Sequence, residues 1–267
     1  MDWFQALVLG LVQGLTEFLP ISSTAHLRIV PYFLGWDDPG AAFSAVIHLG
    51  TLAAVFTYFA GDVGRLGRAA LIGLGRRDLG YSPDSRLAWS IAAGTLPIAI
   101  LGLSFKEFIE TEARTPALIG VALIALALVL LASERLGRQN RTVAELGFWE
   151  IQLIGVFQAL ALIPGCSRSG STISGGLLLG LKRGEAARFS FLLGLPAIAA
   201  SGLLELVDLL QGGLGGEGLL HLGLGIGVAA LSGYLSIGFL LRFLERRRTD
   251  LFAFYRIGLG ALILLTL

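Results

Sequence analysis

Pro164-Gly165-Cys166-Ser167-Arg168-Ser169 is a polar, helix-breaking run inside an otherwise apolar stretch, 148–182. A second run, Phe18-Leu19-Pro20-Ile21-Ser22-Ser23, interrupts the apolar stretch 3–34 in the same way. Each half of these stretches is shorter than the roughly 20 apolar residues that cross a bilayer. Proline stops the first helix and a serine can cap the next. Each interrupted stretch therefore reads as a re-entrant helix–loop–helix pair. Outside the two breaks, six further apolar runs are long enough to cross: about 41–60, 87–109, 116–135, 185–209, 217–244 and 250–267.

Composition agrees with a bilayer as the solvent. Of 267 residues, 55% are hydrophobic and 15% charged, against about 25% charged in soluble domains. Mean hydropathy is +0.78. These values exclude a disordered chain and a disulfide scaffold and disfavour a water-soluble enzyme. A net charge of +1 gives no field for nucleic acid, and a single cysteine, Cys166, cannot form an internal disulfide. No basic region precedes the first apolar run, so no cleavable signal peptide is expected. The 37 glycines suggest close helix packing.

The chain resembles itself at an offset of 140–146 residues. Gly10, Gln13 and Leu15 parallel Gly155, Gln158 and Leu160; Phe43, Ser44 and Gly50 parallel Phe189, Ser190 and Gly194; Ile119 and Gly120 parallel Ile257 and Gly258. Each half is then one broken pair plus three crossings. Three is odd, so the second half lies inverted relative to the first. The expected fold is an all-α integral membrane protein with an inverted-topology repeat, six transmembrane helices and two re-entrant pairs. It forms one polytopic domain over 1–267, with repeat 1 at about 1–136 and repeat 2 at about 147–267.

Charge sets the orientation. The segments 61–86, 134–148, 182–188 and 242–249 carry fifteen of the 20 basic residues, whereas the opposite side carries only Lys106 and Arg114. The positive-inside rule places both termini outside the cytoplasm. Arg28, Arg168 and Arg256 lie within apolar segments and need a reason. Arg28 reads as snorkelling to the outer headgroups, and Arg256 as structural, paired with Glu205 or a carbonyl. His48 reads as a polar packing contact inside a span, His221 as an interface residue and Cys166 as packing. Segment 61–86 reads as a cytoplasmic connection.

The breaks carry the chemistry. Gln13 and Glu17 are four apart on one helix face. Ser22, Ser23, Thr24 and His26 follow Pro20, and Ser23 and His26 are spaced to meet on the next helix. Ser167, Arg168, Ser169, Ser171 and Thr172 cluster where a helix restarts, which makes an anion site. Two helix N-termini at about +0.5 each, together with Arg168, suit a phosphate or diphosphate. Glu17 would offset part of this charge, and a divalent cation held by Glu17 and the ligand oxygens could restore the balance. A thiol phosphatase needs arginine six residues after its cysteine, but Thr172 stands there. An acid-phosphatase-like site needs a later histidine, and only His221 follows. Ser23 is the more plausible nucleophile, with His26 or Glu17 as base; attack by metal-bound water stays open. A lipid-phosphate transporter is the reading from another class, on the strength of the repeat.

These motifs resemble the bacterial undecaprenyl-diphosphate phosphatase family of the bacitracin-resistance type. The first family motif reads Gln13-Gly-Leu-Thr-Glu17 and continues through Pro20, Ser22, Ser23, Thr24 and His26. The second, Pro-Gly-x-Ser-Arg-Ser-x-x-Thr, reads Pro164 to Thr172, and Tyr255-Arg256 is also family-like. The resemblance spans the chain. It implies a multi-pass enzyme of the bacterial inner membrane that hydrolyses undecaprenyl diphosphate to undecaprenyl phosphate for cell-wall synthesis. It implies a site open to the periplasmic side and aided by Mg2+ or Ca2+. Carried over by position, Glu17, Ser23, His26 and Arg168 are catalytic, and Ser22, Ser167, Ser169 and Thr172 bind phosphate. Glu17 and Gln13 are the candidate metal ligands; Gln13 departs from the second glutamate of many members, which weakens a two-carboxylate site. The expected partners are the bilayer, a polyprenyl diphosphate and a second copy of the chain in a homodimer.

Overall fold

A computed structural model describes residues 2–37, 40–211 and 216–267, so two of the connections between the expected apolar runs fall partly outside the described residues. Among the described residues the chain is helical with no strand. The helices are α1 (Trp3–Glu17), α2 (Ser23–Leu34), α3 (Gly40–Tyr58), α4 (Ala60–Arg76), α5 (Pro83–Gly94), α6 (Leu96–Ser104), α7 (Lys106–Glu110), α8 (Pro116–Leu136), α9 (Phe148–Ala159), α10 (Arg168–Leu178), α11 (Arg183–Gln211), α12 (Gly216–Arg246) and α13 (Asp250–Leu265).

Among the described residues, four helical segments are long and apolar enough to cross a membrane: Pro83–Ser104, Pro116–Leu136, Arg183–Val207 and Gly218–Arg246. The chain is a multi-pass membrane protein. Each of the six expected crossings falls on helix, but three differ from a simple span. The run at 41–60 is α3, which turns by 86° into α4; the segment read as a connection is thus helical over Ala60–Arg76. The run at 250–267 is α13, 16 residues long, which reaches only about 24 Å at 1.5 Å per residue. The run at 87–109 is interrupted at Thr95, where Pro97 removes a backbone donor from the next turn.

The helices pack through small residues. α1 lies on α12, α9 on α5, α3 on both α11 and α12, α11 on α5, and α8 on α13. At these seams backbones touch. A Cβ on Gly10 would sit 2.6 Å from the Gly225 carbonyl oxygen, and one on Gly260 would sit 2.7 Å from that of Gly120. In lipid, where apolar burial gives little drive, such close approach supplies the van der Waals contact that holds helices together. A core of Phe18, Phe59, Phe191, Ile151, Ile154, Leu193 and Leu240 fills the centre.

Glu134 ties one end of the bundle. Its side chain is fully buried, and it accepts from Arg183 Nε at 2.7 Å, Thr249 Oγ1 at 2.7 Å and Gln139 Nε2 at 3.2 Å. It thereby joins the end of α8 to the first residue of α11 and to the turn before α13. Truncating one member of a buried charged pair costs about 3 kcal/mol. Glu134→Ala is expected to lower the unfolding midpoint in detergent by roughly 5–10 °C, read by scanning fluorimetry; an unchanged midpoint would show that this knot carries no stability.

Candidate functional site

Both breaks fold alike. Helix α1 ends at Glu17 and Pro20 follows, so the chain cannot continue the helix. Helix α2 restarts at Ser23 behind Ser22, whose Oγ caps the Ala25 N–H. In the second break Gly165 takes φ +101°, and a Cβ there would meet the Ile119 carbonyl oxygen at 2.7 Å. Helix α10 restarts at Arg168 behind Ser167, whose Oγ accepts from Gly170 N at 3.1 Å. Ser22 and Ser167 both sit at positive φ, 74° and 63°. An L residue held there costs on the order of 1–3 kcal/mol, and such strain persists only where the surroundings over-determine it.

Arg256 is one such constraint. It is fully buried. Its guanidinium donates to Pro20 O at 3.3 Å in the first break, to Gly165 O at 2.9 Å and Cys166 O at 3.1 Å in the second, and to Leu123 O at 3.3 Å on α8. The partners are carbonyls; Glu205, the other partner considered, pairs instead with Lys106 at 3.2 Å. Tyr255 is the other. Its hydroxyl lies 2.7 Å from His26 Nε2, and His26 Nδ1 lies 2.7 Å from Ser22 O. Nδ1 faces a carbonyl and must donate, while Nε2 faces a hydroxyl that can donate to it, so a neutral ring satisfies both contacts.

The two breaks meet at Glu17. Its Oε2 accepts from Ser23 Oγ at 2.6 Å and from Gln13 Nε2 at 3.1 Å, and lies 3.2 Å from His48 Nε2. Its Oε1 accepts from Arg168 at 2.8 Å. Side-chain exposure is 4% for Glu17 and 9% for Arg168. Ser23 and Arg168 are the first residues of α2 and α10, so both helix N-termini converge on one carboxylate.

Around them, Arg168 also donates to Ser190 O at 3.2 Å, and Thr172 Oγ1 lies 2.5 Å from Ser190 Oγ. Ser169 Oγ donates to Leu19 O at 3.0 Å and lies 3.2 Å from Ser167 Oγ, which bridges the breaks again. Gly194 leaves room for the Arg168 guanidinium, which a Cβ would overlap.

Of the residues singled out from the sequence, Gln13, Ser23 and Arg168 each touch Glu17. Ser22, Ser167, Ser169 and Thr172 form the backbone turns and second contacts beside them. The pairing of Ser23 with His26 suggested by their spacing is not made among the described residues; His26 turns to Tyr255 and Ser23 to Glu17. Reading the sequence missed His48 as a site residue, and also Ser190 and Tyr255. The parallel of Ser44 with Ser190 and the family-like Tyr255 were available signals. His48 offered none, because a single histidine in a span does not reveal what it faces.

The arrangement does not fit a resident divalent cation. Glu17 is a single carboxylate, and both its oxygens already accept hydrogen bonds, one of them from an arginine. Among the described residues no group of three His, Cys, Asp or Glu side chains could hold a metal. The Gln13 Oε1, buried without a partner, adds one neutral oxygen beside these donors, too little to offset a guanidinium close by.

Comparison with known proteins places this site in context. The model of the family described as bacitracin resistance protein BacA matches residues 6–262. An undecaprenyl-diphosphatase of Myxococcus xanthus is 52% identical over 267 residues, covering 100% of this chain and 90% of that protein. Undecaprenyl-diphosphatases of Chloroherpeton thalassium and Chlorobaculum tepidum are 51% and 48% identical, covering 99% and 97% of this chain and 96% and 95% of theirs.

Arg256→Leu is expected to strand four carbonyls and lower the detergent unfolding midpoint, by about 3 kcal/mol in stability. Arg256→Lys keeps part of the donor set and is expected to fall between. Equal midpoints for Arg256→Leu and the parent in a thermal melt would show that the breaks hold without this side chain.

Proposed function

Since the chain belongs to the bacitracin resistance protein BacA family, we propose that it hydrolyses undecaprenyl diphosphate to undecaprenyl phosphate and inorganic phosphate, recycling the lipid carrier of cell-wall synthesis. The observation that carries this reading is the Ser23 hydroxyl 2.6 Å from Glu17 Oε2, with Arg168 on the other oxygen at 2.8 Å. A hydroxyl on a buried carboxylate has a base in place, and the guanidinium and two helix N-termini offer donors for phosphate oxygens.

In this reading Ser23 Oγ attacks the terminal phosphorus and its proton passes to Glu17. The bond to the bridging oxygen breaks and undecaprenyl phosphate leaves. Water then attacks the phosphoserine, the Ser23 oxygen leaves and recovers the proton from Glu17, and both protons of the water stay on the phosphate product. Arg168, Ser167, Ser169, Thr172 and the N–H groups opening α2 and α10 hold the transferred phosphoryl group. The Tyr255 contact makes His26 a support of the Ser22 turn, which leaves Glu17 as the base.

The same reading takes the chain as one domain with an inverted repeat and two re-entrant pairs. Support comes from matched features. Ser22 and Ser167 are both strained caps, Ser23 and Arg168 both open a helix onto Glu17, and the α1–α12 seam has its counterpart in α9–α5. The basic segments then face the cytoplasm of the inner membrane, with both termini and the site on the outer side.

Phosphate release from a prenyl diphosphate by the purified protein in detergent tests the function, because detergent abolishes vectorial transport but leaves hydrolysis intact. Ser23→Ala and Arg168→Ala are each expected to lower kcat by a factor of about 100 or more. Full activity in both would remove the assigned site. No release at all, with lipid-phosphate flux in liposomes, would favour a transporter. For orientation, a cysteine at position 78 should react with an impermeant maleimide only from the cytoplasm, and one at position 38 (outside the described residues) only from outside. The reverse pattern would invert the topology.

A further inference from the structure

His48 has acceptors at both ring nitrogens. Nδ1 makes a short contact with the Ser44 carbonyl oxygen one turn back on α3, and Nε2 lies 3.2 Å from Glu17 Oε2. His26 differs: there one nitrogen faces a hydroxyl, which donates. Toward Glu17 Oε2, which accepts from Ser23 and Gln13 while Oε1 accepts from Arg168, the ring nitrogen Nε2 can only donate.

His48 is held in this position: its side chain is 15% exposed, and α3 is braced against both α11 and α12.

We infer that His48 is a positioning residue of this site, its Nε2 donor fixing Glu17 Oε2 against Ser23 at the place a bound divalent cation would otherwise take. The inference rests on the phosphatase reading above. Its consequence is that the oxygen facing Ser23 is filled by N–H donors and has no vacancy for Mg2+ or Ca2+.

The test uses the full chain in detergent, comparing the parent with His48→Leu, His48→Gln and Ser23→Ala, each in chelator and with added Mg2+ or Ca2+. Unfolding midpoints establish that each variant is folded; His48→Gln keeps a donor of similar reach. His48→Leu is expected to lose about tenfold or more in kcat with KM within about threefold of the parent, and His48→Gln to recover a large part of the loss. The parent is expected to keep its kcat in chelator and to show no saturable binding of radioactive Ca2+. The inference is overturned by an unimpaired His48→Leu, by a loss confined to KM, by a His48→Gln no better than His48→Leu, or by a parent that is silenced by chelator and restored by Mg2+. If Ser23→Ala stays fully active, the phosphatase site itself falls and this inference with it; if Ser23→Ala is dead while His48→Leu is not, His48 alone is wrong.

Discussion

Glu17 is the interaction on which the remaining structure depends. A lone carboxylate in so apolar a chain is costly, and it is tolerated only when paired and hydrogen-bonded. Here α1 supplies Gln13 and the carboxylate itself, α2 supplies Ser23, α3 supplies His48 and α10 supplies Arg168. Four separate segments must arrive at one pair of oxygens. That requirement sets where α1 ends, how sharply both breaks turn, and how closely α3 approaches α1.

The strain in the turns follows from the same demand. A helix that opens onto Glu17 directly after a helix that carries it must reverse within a few residues. Ser22 and Ser167 absorb this at positive φ, with their own hydroxyls capping the following helices. Arg256 reaches a carbonyl in each break from α13. A cation donating only to neutral carbonyls is an unusual use of buried charge. It keeps a positive group near both turns without a second carboxylate to cancel it.

Much of this was legible in the sequence because polar groups inside apolar stretches are few. The two breaks announced themselves through proline, glycine and serine runs, and Arg168 through its charge. Helix positions followed from apolar length. Contacts between elements distant in sequence were harder to read. The spacing of Ser23 and His26 suggested a pair, since helical spacing brings side chains near without fixing their rotamers. Tyr255, 229 residues from His26 in the chain, took that ring instead. His48 was invisible for the same reason: its role depends on α3 packing beside α1, which no local pattern encodes. The 86° turn after Tyr58 was likewise hidden, because apolar and amphipathic helix adjoin with only Phe59 between them.

The glycine seams have a consequence for the surroundings the molecule can endure. Where Gly10 meets Gly225 and Gly120 meets Gly260, the adhesion is backbone against backbone. Dispersion and weak C–H···O contacts do not draw on the release of water. Lipid tails and detergent tails are then nearly equivalent wrappings for this frame. What the bilayer contributes is direction: it decides which end of the scaffold meets the outside world.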